Sequence, residues 1–222
     1  MSDTTDPTEL DLLVGSIFTT RPEEDRELFE EEREWLSDIQ DLLREEGVEV
    51  DLLAQPGVEI WEGGISRFMD LYQLRLFAAY LEQGKGIASV LTLPEELDAE
   101  PDDALTSIWE GEASTRFPHL INHQADGGYY LPVDFAEPVW LEVDEESEEH
   151  HHDHDHDHDE YEEEDSVVSF GSSVALQREL VELEGLLKGA SVPSSHPAYR
   201  CLSVLRTAAD QSVANNLPIV VW

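Results

Sequence analysis

Lysine is nearly missing from this 222-residue chain: only Lys85 and Lys188 are present. With ten arginines they make 12 basic residues against 52 acidic ones, a formal charge of −40 at pH 7. A field of that sign repels nucleic-acid phosphates and anionic lipid, so neither nucleic acid nor membrane is expected as a direct partner. Cations and basic proteins are the natural alternatives. Cys201 is the only cysteine, which excludes an intrachain disulfide and a cysteine-based zinc site. No segment reaches the run of about 18 apolar residues that a membrane-spanning helix requires. The stretch Met1–Asp11 lacks the basic start and apolar core of a signal peptide, so a cytoplasmic location is expected. Phosphate-loop, dinucleotide-binding and nucleophile-elbow patterns are missing too.

What is present is an ordinary core-forming fraction. Hydrophobic residues make up 40% of the chain, enough for one domain with a full core. The acidity is spread widely. Residues 142–165 hold 15 of the 52 acids, and the other 37 still face 12 basic residues. Negative charge on this scale keeps a protein soluble or fits it to a salty cytoplasm, whatever else it does.

The pattern along the chain predicts a single α+β domain, a small sheet packed with amphipathic and buried helices. That domain comprises residues 9–143 and 166–222, with a frayed terminus at 1–8 and an acidic, His-rich insertion at 144–165. Leu10–Phe18 is apolar and reads equally as a strand or a short helix. A helix is expected from about Arg21 to Glu46, capped by Thr20 with Glu23 completing a capping box, and stopped by Gly47. Its apolar stripe is Leu28, Phe29, Trp35, Leu36, Ile39, Leu42 and Leu43. The segment from about Ile65 to Gln83 is apolar nearly all round and is expected at the centre of the core. Its interior charges Asp70 and Arg75, and its length, argue against a membrane segment.

Strands are expected at Ile87–Leu93, Tyr129–Phe135, Val139–Val143 and Val167–Phe170, with a short helix near Asp103–Trp109. The strands flanking the acidic insertion are expected to be neighbours. Ser172 or Ser173 caps a helix that runs to about Lys188, and a last helix spans Ala198–Asn215. Leu217–Trp222 closes the chain as a strand paired within the sheet.

One tract stands out chemically: His150, His151, His152, Asp153, His154, Asp155, His156, Asp157, His158 and Asp159. Imidazole nitrogen binds zinc, nickel and copper(II), and carboxylates complete the shell. An extended tract puts alternate histidines on one face, while a helical one puts His150, His154 and His158 at i, i+4 spacing. Flanking carboxylates draw cations in and also favour imidazolium, so metal uptake should weaken as pH falls. Redundant ligands on a disordered loop suit buffering or delivery of ions, not catalysis. Such a tract also persists as a tolerated repeat expansion on a solvated loop.

Weaker candidates are His119 and His123, at i, i+4 spacing but without the glutamate of a zinc-protease signature. Cys201 with His196 and Asp210 has the residue types of a cysteine nucleophile, although Cys201 lies on an apolar helix face. Gly171-Ser172-Ser173 at a helix start could receive an anion or simply cap the helix. Carboxylate pairs are too abundant to single out an acid and a base. The leading expectation is a non-enzymatic acidic protein without an organic cofactor, whose His/Asp tract binds divalent transition-metal ions. The alternatives are an interaction or immunity-type module docking on a basic partner, such as an inhibitor of a basic toxin or nuclease, and a loop that serves solubility alone.

Overall fold

In the computed structural model, residues 8–92, 101–124, 127–143 and 166–222 are described. Leu10, Leu12 and Val14 alternate with less buried residues, the period of a strand with one face in a core. They form β1 (Leu10–Gly15), which settles the open reading of that segment. Its neighbour β2 (Glu59–Ile65) takes in Gly63, Gly64 and Ile65, so the central helix starts later than expected, as α2 (Phe68–Glu82). The remaining strands are β3 (Tyr129–Leu131), β4 (Val139–Val143), β5 (Ser166–Ser172) and β6 (Ile219–Val221). They make one six-stranded sheet in the order β2-β1-β6-β3-β5-β4. Only β3 and β5 pair in parallel. The result is an α+β domain.

Both expectations about strand neighbours hold. β4 and β5 pair antiparallel from Val139↔Phe170 to Val143↔Ser166, on either side of the acidic insertion. β6 sits mid-sheet, bonded to β1 on one side and β3 on the other. Residues 1–7 and 144–165 lie outside the described residues.

Two cores flank the sheet. The larger joins the inward residues of β1, Tyr130, Ile219 and Val221 to five helices: α2, α3 (Asp103–Trp109), α4 (Pro118–Ile121), α5 (Ser173–Gly189) and α6 (Pro197–Asn215). As expected, α2 lies deep: Leu74, Leu76, Phe77, Ala78 and Ala79 are fully covered. Its charges are covered too. Asp70 pairs with Arg67 at 2.8 Å. The Arg75 guanidinium donates to the carbonyls of Leu120 at 2.7 Å and His123 at 2.8 Å, which anchors the short α4 (Pro118–Ile121).

The smaller core lies on the other side of the sheet, under α1 (Arg26–Glu45). Leu36, Ile39 and Leu43 meet Ile17, Phe18, Leu131, Leu141 and Phe170 there. Phe29 stacks on Phe18 with ring centroids 4.7 Å apart.

Three local expectations are corrected. Asp25, not Thr20, caps α1, its side chain accepting from the amides of Glu27 (3.0 Å) and Leu28 (3.2 Å). The Thr20 amide instead donates to the Glu32 carboxylate at 2.8 Å, as does that of Thr19 at 2.7 Å, folding the entering chain back along the helix. The described part of the strand expected at Ile87–Leu93, residues 87–92, is not a strand. Val90–Thr92 is a 3-10 turn, and the segment bonds locally, Leu91 N–H to Ile87 O at 3.0 Å. The strand expected over Tyr129–Phe135 ends at Leu131, because the carbonyls beyond it are taken by side chains. Ser172 Oγ donates to Val133 O at 2.6 Å, and His119 Nε2 meets Phe135 O at 2.9 Å. Among the described residues, no helix is long and apolar enough to cross a membrane.

Candidate functional site

The outer surface of α1 carries a regular array of carboxylates. With about 100° of rotation per residue, Glu27, Glu30, Glu31, Glu34, Asp38, Asp41 and Glu45 share an arc of about 100° facing solvent, and all seven are exposed. Arg26, Arg33 and Arg44 fall together on one border of that arc. Arg33 pairs with Glu30 at 3.1 Å, and Arg44 pairs with Asp41. Glu27, Glu31, Glu34, Asp38 and Glu45 have no ion-pair partner among the described residues. Repulsion within such an arc works against the helix. What holds the carboxylates in line is the buried face beneath them, together with the Asp25 cap.

The apolar stripe read from the sequence splits in two on this helix. Leu36, Ile39 and Leu43 are buried, but Leu28, Trp35 and Leu42 are 50%, 37% and 38% exposed. Glu32 faces the opposite way from the arc. Burial works to raise its carboxyl, but hydrogen bonds from Thr19 and Thr20 outweigh that and hold it below the usual carboxylate range.

The histidine pair His119 and His123 is structural. Nδ1 of His119 accepts the Ser172 amide at 3.0 Å, so Nε2 carries the proton donated to Phe135 O. No lone pair remains for a metal. His123 is buried against Tyr130, with ring centroids 3.9 Å apart. Its two nitrogens lie 2.8 and 3.1 Å from the carbonyls of Gln124 and Tyr129. Burial pushes its pKa down to about 4, although those carbonyls pull the other way. Close packing extends to the glycines beside it. Gly128 has φ +88°, and a Cβ there would stand 2.6 Å from Ser169 O.

The other weak candidates resolve equally plainly. Cys201 is buried in the larger core, and burial pushes its thiol pKa up. His196 caps α6 by accepting the Ala198 amide at 3.2 Å, and Asp210 accepts from Gln177 at 2.7 Å. The polar atoms of Ser172 are spent within the fold: its hydroxyl binds Val133 O and caps α5, and its amide binds His119. The tract His150–Asp159 lies outside the described residues. Among the described residues, no group of three or more His, Cys, Asp or Glu is arranged to hold a metal ion.

A family model described as "Putative DNA-mimic protein" matches residues 8–221. The chain belongs to this family. No curated protein matches it, and no solved structure does. Membership in the DNA-mimic family corrects the expectation that divalent cations are the principal partners. The family's description is of a protein that imitates DNA, and surfaces that bind DNA are basic. The basic protein partner also expected from the sequence is compatible with this. Sequence reasoning read this helix by its caps and its apolar stripe and did not single out its carboxylates. The available signal was carboxylate spacing at 27, 31, 34, 38, 41 and 45, one helical turn at a time.

Proposed function

We propose that this protein acts by binding, not catalysis, and that it occupies the DNA-binding surface of a basic protein with the carboxylates of α1 standing where phosphates would. The observation that carries this reading is the α1 arc in a chain of the DNA-mimic family. From Glu27 to Glu45 the helix rises about 27 Å. Seven carboxylates stand along that length, roughly one per 4 Å, five of them without an arginine partner, against one phosphate per about 3.4 Å along a single DNA strand. Rigidity matters as much as density. A helix fixed to the sheet presents its charges without the ordering cost that a flexible acidic tail incurs on binding.

The test uses a defined probe, the proteins that elute from DNA–cellulose loaded with extract of the encoding organism. On an immobilised wild-type chain, a subset of this pool is retained at low salt, released by added duplex DNA, and lost steeply as salt rises. Replacing Glu27, Glu31, Glu34, Asp38 and Glu45 by Gln or Asn weakens that retention at least about tenfold, each charge contributing on the order of 0.2–1 kcal/mol. Retention that duplex DNA does not compete away would contradict the reading.

A further inference from the structure

A carboxylate array alone would attract any basic surface, so something else must select among them. Leu28, Trp35 and Leu42 recur every seven residues on α1 and therefore lie in one line. That line runs along the border between the buried face and the carboxylate arc, on the side away from Arg26, Arg33 and Arg44. Glu31, Asp38 and Glu45 each follow one of the three by three residues, so apolar and acidic side chains alternate along the ridge. Placing a tryptophan and two leucines 37% to 50% open to water gives up burial that the nearby core would supply.

We propose that this ridge is the contact centre of the docking face, and that its occupant is a basic DNA-binding protein with an apolar strip beside its phosphate-binding groups. The proposal rests on the DNA-mimic reading and adds to it. Charge complementarity decides the occupant. A second copy of this chain would bring another formal −40 to a face that is already acidic, whereas a basic surface neutralises the arc and lets Trp35 be covered. Water-excluded aromatic anchors ringed by polar groups carry a large share of binding at protein interfaces. Contacts of this kind are far less sensitive to salt than the carboxylates. The ridge thus discriminates between basic proteins that charge alone would treat alike.

The experiment compares wild type with the triple variant Leu28→Gln, Trp35→Gln, Leu42→Gln, which keeps every charge and uses a good helix former. A thermal melt first checks that both are folded. Each is immobilised and offered the DNA–cellulose protein pool and, separately, poly-lysine. The expected result is at least about tenfold weaker DNA-competable retention by the variant, with release at lower salt and unchanged poly-lysine binding. Equal retention of the DNA-competable proteins by both chains overturns the ridge proposal while leaving the DNA-mimic reading intact. A wild-type chain that retains nothing DNA-competable overturns that reading first, and the ridge with it. Concentration-dependent self-association lost in the triple variant would assign the ridge to a second copy, which also overturns the proposal.

Discussion

Glu179 shows how a single carboxyl is tied to this fold. It is buried on α5, and its two oxygens accept the His119 and Leu120 amides at 3.1 and 2.9 Å, capping α4. Burial pushes its pKa up to about 8, against the pull of those two amides. The folded state therefore holds this proton more tightly than the unfolded chain does. The stability contributed is full below the ordinary value of about 4.5 and is lost as pH rises through about 8. Glu179→Gln removes that dependence. Denaturant unfolding of both chains at pH 5 and pH 9 should show the variant gaining on wild type by a few kcal/mol, since each tenfold change in proton affinity is worth about 1.4 kcal/mol. A stability difference that does not change with pH would contradict the assignment. Glu32 has the opposite sign: its lowered pKa stabilises above the ordinary carboxylate value and loses that contribution in acid.

At the scale of elements, β6 is the piece on which the sheet depends. It alone joins the β2–β1 pair to β3, β5 and β4, and Ile219 is fully buried. Deleting residues 218–222 should split the sheet and abolish a single cooperative transition in a thermal melt followed by circular dichroism. A truncated chain that melts cooperatively within a few degrees of wild type would refute this, since losing one buried Ile alone costs about 2–5 kcal/mol. That strand was legible in the sequence because six consecutive residues, Leu217–Trp222, offer little polar surface. The helices α5 and α6 were legible for a different reason: their apolar residues recur at helical spacing, and the cap of α5 is local, Ser172 on Ala175. β2 was not legible. Glu59, Trp61, Gly63 and Gly64 break the alternation of an edge strand exposed along much of its length. The docking ridge was hidden as well. Helical periodicity placed Leu28, Trp35 and Leu42 in one stripe with Leu36 and Leu43, but not how deeply the helix sits on its sheet. That depth is set by Phe18, Phe170 and Leu141, which reach α1 from distant parts of the chain.

For the whole molecule, the sign of the charge and the stiffness of its carrier act together. A formal charge of −40 raises the rate of encounter with any basic surface and falls off within a Debye length of about 8–10 Å at ordinary salt. Encounter becomes selective only where charges are fixed at a spacing that the partner is built to receive. α1 provides such an array on one side of the sheet, while α2, α5 and α6 on the other side hold that sheet in place. The most direct measurement of this account is displacement of DNA. A fluorescent duplex is bound to the DNA–cellulose protein pool near physiological salt, and the protein is titrated in while anisotropy is read. Wild type should release the duplex, and the chain with Glu27, Glu31, Glu34, Asp38 and Glu45 neutralised should need at least about tenfold more protein to do so. Anisotropy that stays unchanged at every concentration of wild type, or equal release by the neutralised chain, would contradict it.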